Sequence, residues 1–196
     1  MARRFHMAKA VTEADALLNL SKMKTHQLER MTGAVKNMYG CIQGLHKAKG
    51  HTRYSNAESF ARMLVDLNRY VRPRLYVMDG ITAMEGNGPA SGNPVAMGVM
   101  LISADPLALD SVCCSLMHLK PDLVPTNVQG AKMGLGVWKD DAIDVITREG
   151  ILSPLQAGER YGKADFDVER GKKVRRLWRQ IRWLSLIHIS EPTRQA

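Results

Sequence analysis

Between Ser55 and Gly80 the chain changes its apolar period at a single proline. The stretch SNAESFARMLVDLNRYVRP sets Phe60, Met63, Leu64, Leu67 and Val71 at helical spacing; Ser55 or Asn56 can cap it and Pro73 ends it. RLYVMDGI follows at once as a strand that runs out at Asp79–Gly80. A helix delivered directly into a strand excludes a pure bundle or a pure sandwich and calls for helices packed on a sheet. The rest of the chain alternates in the same way. ADALLNLS (14–21) reads as a short buried strand, and TGAVKNMYGCI as a glycine-led helix with Thr32 at its N-cap. QGLHKAKGHTRYSN is looser and polar, and TAMEGNGPASGNP holds too much glycine and proline for a regular element. VAMGVMLIS is a strand, DPLALDSVCCSLMHL a helix capped by Asp105 with Pro106 in its first turn, and GLGVWKDDAIDVIT a turn and short strand. The expected fold is therefore α/β, with a mixed or mostly parallel sheet, helices packed on it, and an incomplete domain.

With 196 residues the chain can bury one real core but not two comfortable ones. The net charge of +9 points first to nucleic acid or an anionic membrane. Its distribution argues against both. From Arg170 onward there are eight lysines and arginines against one acid, whereas residues 1–169 carry 20 basic and 18 acidic side chains. The expected division is an α/β body at 1–169, a basic linker or helix at 170–183 (RGKKVRRLWRQIRW), and a tail at 184–196. That tail, LSLIHISEPTRQA, resembles a translated sequencing adapter and is set aside. No apolar run approaches the ~18–20 residues of a membrane span, and MARRFHMAKAV lacks a secretion core, so a cytoplasmic location is expected. Cys41, Cys113 and Cys114 are too few and too badly spaced for a metal knuckle and read as small buried apolar residues.

The chemistry gathers in SKMKTHQLERMTGAVKNMYG (21–40). Lys24 and His26 are expected just past a strand end, where α/β sheets hold ligands. A helix starting at Thr32–Gly33 would offer free N–H groups to an anion, with Lys36 one turn in and Asn37 beside it. Lysine holds a phosphate or carboxylate as a point charge, and histidine exchanges a proton near neutral pH. Lys22 reads as solvated. Asp79 and Gly80 end the later strand, and Glu85, Gly86, Asn87 and Gly88 follow in a loop whose backbone donors can close over a ligand. His51 is either a second acid–base group or a surface residue, and Asp110 faces either the site or solvent. Phosphate loops, nucleophile elbows, HExxH pairs and CxxCxxC runs are absent.

The blocks ADALLNLSKMKTHQLERMTGAVKNMYGCIQGLHKAKGH, LVDLNRYVRPRLYVMDGITAMEGNGPASGNP and LISADPLALDSV resemble domain-of-unknown-function family 362, a prokaryotic family associated with iron–sulfur and ferredoxin-like proteins. The resemblance runs from about Ala8 to Asp144. More remotely, the first block is similar to relatives of the nickel-pincer lactate racemase, which place a KxH element before a glycine–lysine helix. By family position, Lys24, Thr25, His26, Thr32, Gly33, Lys36 and Asn37 form one motif, and Asp79, Gly80, Glu85, Gly86, Asn87 and Gly88 the other. The resemblance implies a preceding α/β half and a following ferredoxin-type domain with 4Fe–4S clusters, so the chain is expected to be truncated at both ends. The function expected is that of an iron–sulfur-associated redox enzyme or electron-transfer accessory. Lys24 and Lys36 would hold a small anion, His26 would act as acid or base, and Asp79 and Glu85 would close the far wall, around a divalent metal ion. The rival expectation is a non-catalytic scaffold for a ferredoxin domain. Nucleic-acid binding through the arginine-rich tail is the least favoured.

Overall fold

The computed structural model describes Ala2 and residues 4–168. The basic segment expected at 170–183 and the tail at 184–196 lie outside the described residues. The helix expected before Pro73 is α4, Ala57–Val71. The Asn56 side chain caps it by accepting the Ser59 N–H at 2.8 Å, and Phe60, Met63, Leu64 and Leu67 form its buried stripe. Arg72, in the left-handed region at φ 51°, terminates it. Ahead of it lie α1 (Lys9–Glu13), β1 (Leu18–His26), β2 (Arg30–Thr32), α2 (Ala34–Asn37) and α3 (Gly44–Arg53). After it come β3 (Leu75–Glu85), β4 (Asn93–Ser103), α5 (Pro106–Leu116), α6 (Pro125–Lys132), β5 (Val145–Thr147), β6 (Gly150–Leu152) and α7 (Pro154–Tyr161).

Four strands form one mixed sheet in the order β2-β1-β3-β4. The β1–β3 pair is parallel, and the two outer pairs are antiparallel hairpins. The fold is α/β with helices packed on the sheet, as the alternation implied. One core lies between the sheet and α5, built on Met23, Met31, Met78, Val112, Cys113 and Cys114. A second surrounds α4 and takes in Val35, Met38, Phe60, Leu64 and Leu107.

Several boundaries differ from expectation, each for a physical reason. β1 does not stop near Ser21 but runs on to His26, because pairing with β3 on one side and β2 on the other keeps its backbone satisfied. β3 likewise continues through Gly80 to Glu85, leaving only residues 86–92 as a loop. α2 is a single turn that runs into a 3₁₀ turn at Met38–Cys41, and its N-cap is Gly33, not Thr32. The polar segment expected to be irregular forms α3, which has no buried residue to mark it in the sequence. Tertiary contacts hold it: the Tyr39 hydroxyl donates to the Lys47 carbonyl at 2.7 Å, and His51 stacks on Phe60 with centroids 4.6 Å apart.

The helices cover one face of the sheet. On β1 the leucines point away from them, with Leu18 61% and Leu20 70% exposed, while Asn19 and Ser21 are buried. The buried polar pair is hydrogen-bonded: Asn19 Nδ2 donates to the Ala34 carbonyl and Ser21 Oγ to the Val77 carbonyl. Exposed Met100 and Ile102 of β4 pair in register with Asp79 and Val77 of β3, and Val77 pairs with Leu20. The other face is therefore an open apolar strip, crossed by a Lys22–Asp79 ion pair at 2.6 Å.

Candidate functional site

The β1–β2 hairpin turns through Gln27, Leu28 and Glu29, and Arg30 re-enters the ladder at φ 68°. His26 holds this turn: its Nδ1 accepts the backbone N–H groups of Leu28 at 3.1 Å and Glu29 at 3.2 Å. An acceptor at Nδ1 places the proton on Nε2, so the ring is neutral and presents an N–H donor. Burial, followed by the charges of Lys36, His51 and Lys24, lowers its pKa to about 3. Register partners on an antiparallel pair share a face. Lys24 and Thr32, and His26 and Arg30, are such partners, while Thr25 and Met31 turn to the core side.

Glu29 ends the same turn, and its backbone N–H is one of the two donors to His26. It is fully buried, and neither carboxyl oxygen has a hydrogen-bond partner among the described residues. The Thr32 hydroxyl is buried and unpartnered as well. Burial raises the Glu29 pKa to about 8, against the opposing pull of Lys36, so the acid is neutral at pH 7. Burial and the nearby charge of Lys24 lower Lys36 to about 8, with Glu29 raising it and Lys47 lowering it further. No described carboxylate lies within ion-pair distance of Lys24 or Lys36. His51, on α3, is held down by burial and by Lys36. Two lysines, a donor imidazole, a neutral carboxyl and a hydroxyl thus gather where β1, β2, α2 and α3 meet. Such a set can hold an oxyanion and exchange a proton with it.

The remaining motif residues build the frame. The N–H groups at the start of α2 are not open to a ligand: the fully buried Asp110 carboxylate accepts from Ala34 at 2.6 Å and Val35 at 3.1 Å. Gly33 makes the room, since a Cβ there would collide with Asp110. Burial raises Asp110 to about 7, and the two backbone donors pull it back down. Asn37 ties α2 to the strand edge, donating to Asn19 Oδ1 at 2.7 Å and the Leu20 carbonyl at 3.0 Å. Thr25 donates to the Gly86 carbonyl at 3.0 Å, and Gln27 to Asn87 Oδ1 at 2.8 Å, so the 86–92 loop does reach the end of β1. Three of its backbone donors are taken: the Gly86 N–H goes to the Asp167 carbonyl, the Gly88 N–H to that of Gly86 and the Ser91 N–H to that of Asn87. A Cβ on Gly88 would strike the Thr25 backbone, and one on Gly80 would crowd Val99 and Met23.

The expected acidic wall does not form. Asp79 stands on the open face, where Lys22, read from the sequence as merely solvated, pairs with it and holds its carboxyl below the usual range. The register shift between Gly80 and Thr82 then carries Ala83 and Glu85 to the covered side. There Glu85 accepts from the Asp167 N–H at 3.1 Å and from Lys163 at 3.4 Å. Asp79 and Glu85 therefore point to opposite faces and cannot share a metal ion. Among the described residues no three His, Cys, Asp or Glu side chains gather as a metal-ligand set. Cys113 and Cys114 are buried, with thiols pushed well above their ordinary range, and do not fit an iron–sulfur cluster.

Sequence reasoning passed over Glu29, because a glutamate in QLER reads as a solvated turn residue and nothing local reports its burial. Asp105, by contrast, caps α5 as expected, accepting from Leu107 and Ala108. A cavity of about 370 Å³ lies elsewhere, between the N-terminal segment and α3, lined among others by Arg4, Phe5, His46 and Tyr54.

A family model described as Domain of unknown function (DUF362) matches residues 1–115. The Thylakoid-associated protein of Synechocystis sp. is 38% identical over 130 residues, which is 66% of this chain and 40% of that protein. The chain thus spans well under half the length of that relative. No solved structure matches it.

Proposed function

The chain belongs to the DUF362 family, and from that premise we propose that the Lys24–His26–Lys36 centre binds a small oxyanion and exchanges a proton with it. The observation that carries the reading is that Lys36, with no paired carboxylate, stands within electrostatic reach of both Lys24 and an unpartnered, buried Glu29. A bound oxyanion supplies the missing counter-charge and the missing hydrogen-bond partners together. Lys24 and Lys36 contribute charge, and His26 contributes its Nε2–H. The proton exchange expected of His26 passes to Glu29 and Lys36, whose pKa values lie near neutrality.

Inorganic sulfate, fully ionised across the working pH range, is the test ligand. In titration calorimetry at pH 7, Lys24→Ala and Lys36→Ala are each expected to lose about 10- to 100-fold in sulfate affinity, the effect of removing a charged hydrogen-bond donor. Unchanged affinity in both variants overturns the pocket.

The wider role follows the family resemblance. This centre would serve a redox enzyme or electron-transfer accessory in the cytoplasm, with 4Fe–4S clusters on a ferredoxin-type segment elsewhere in the polypeptide. The described cysteines are themselves unsuited to hold such a cluster. Among the described residues no helix is long and apolar enough to cross a membrane. The exposed strip of Leu18, Leu20, Met100 and Ile102 favours a second reading, that of a scaffold for another domain. The two separate cleanly: a scaffold leaves sulfate binding absent in the parent protein.

A further inference from the structure

We propose that the oxyanion binds against a protonated Glu29 carboxyl, which donates a hydrogen bond to it, and that in alkaline solution, where the acid of the empty site is ionised, the anion enters together with this proton. The inference rests on the anion-binding reading and adds a residue that neither the sequence motifs nor the family resemblance assigned. Its basis is geometric. Glu29 is fully buried in the hairpin turn, its two oxygens and the Thr32 hydroxyl have no described partner, and the charge of Lys36 reaches it. An ionised, unpartnered carboxylate in that position would repel an incoming anion across a short, poorly screened distance. A protonated one does the reverse, giving an O–H to a ligand oxygen while the other carboxyl oxygen accepts from Thr32 or the ligand.

The groups around Glu29 set the direction of the coupling. Lys36 of α2 acts on Glu29 directly, and Lys36 is in turn coupled to Lys24 and His26 of β1 and to Lys47 and His51 of α3. His26 stays neutral because its Nδ1 is occupied by backbone donors. Burial favours the protonated acid, and Lys36 opposes it when the site is empty. A bound dianion neutralises the field of Lys36 and shifts the balance towards the protonated acid. The same anion also favours protonated Lys36. Two groups therefore gain protons on binding, and only one of them is an acid. The ligand class that follows is a small dianionic oxyanion, a phosphate by its chemistry, captured with charge compensation at Glu29. A cation is disfavoured by the flanking lysines.

The test is sulfate calorimetry at pH 8.5 in two buffers of different ionisation enthalpy, which counts protons exchanged per anion bound. The parent protein is expected to take up about one proton or more per sulfate, and its log affinity should fall with pH above about 8. Glu29→Gln keeps the shape and a hydrogen-bonding head but cannot titrate. It should take up at most half as many protons per sulfate at pH 8.5 as the parent and lose affinity less steeply with pH. Lys36→Ala reports the other proton. The outcomes are distinct. Absence of sulfate binding in the parent protein at every pH removes the anion site, and this inference with it. Binding by the parent with an unchanged proton count and pH slope in Glu29→Gln keeps the anion site and overturns the role of Glu29. A Glu29→Gln variant that unfolds is recognised by circular dichroism. Glu29→Asp, which retains the titrating group, must then preserve the proton uptake, and its loss also overturns the proposal.

Discussion

At the scale of the residue, Glu29 and Lys36 pull stability in opposite directions with pH. Glu29 is an acid raised from 4.5 to about 8. Its contribution is whole below about pH 4.5 and is lost as pH rises through 8. Lys36 is a base lowered from 10.5 to about 8. Its contribution is present above about pH 10.5 and is lost as pH falls through 8. Replacing Glu29 with Gln removes only the first effect. Between pH 5 and 8.5, the parent protein should therefore lose stability relative to Glu29→Gln, by on the order of 3 kcal/mol. Urea unfolding at the two pH values measures it, and equal losses in both proteins would show that Glu29 does not titrate in this window. His26 is different in kind. It spends one nitrogen on the backbone of its own turn, so a residue chosen from the sequence for proton transfer acts first as a fastener.

At the scale of the element, the one-turn helix α2 is held by its neighbours. Asp110 of α5 takes its first two N–H groups, Gly33 leaves the space for that carboxylate, and Asn37 and Asn19 bind it to β1. Asp110→Ala strands two buried donors and is expected to cost about 2–4 kcal/mol. Gly33→Ala should cost a similar amount, because its methyl group displaces the carboxylate. The double variant should cost clearly less than the sum, since an alanine at 110 vacates the space that the new methyl needs. Strict additivity in chemical denaturation would break the account. These elements also show what a sequence discloses. The stripe of α4, its Asn56 cap, its stop at Pro73, and the Asp105 cap with Pro106 are written within a few residues of each other and were legible. The clasp between Ala34 and Asp110 joins residues 76 apart, and nothing in the QLER turn marks Glu29 as buried, so no local pattern reports either. The extension of β1 through Lys24 was hidden for a related reason. Lysines read as a strand's end, yet outward positions on a sheet tolerate them. Of the candidate site, the cationic residues were visible and the buried acid beside Lys36 was not.

At the scale of the whole molecule, the sheet is dressed on one side only. Leu18, Leu20, Met100 and Ile102 face outward, and contiguous apolar area of this kind promotes association. Leu20→Lys with Ile102→Lys should reduce concentration-dependent light scattering several-fold. Unfolding stability should stay within about 0.5 kcal/mol, because neither side chain is packed. Undiminished scattering would locate the sticky surface elsewhere. The Lys22–Asp79 bridge gives that strip a selectivity filter. Any layer laid over it would strip water from two opposite charges, and a greasy cover with no polar group of its own would forfeit their hydration without recompense. A cover bearing one well-placed donor or acceptor would instead be read out at a single register, so this lone ionic stitch decides which coverings fit and how they align.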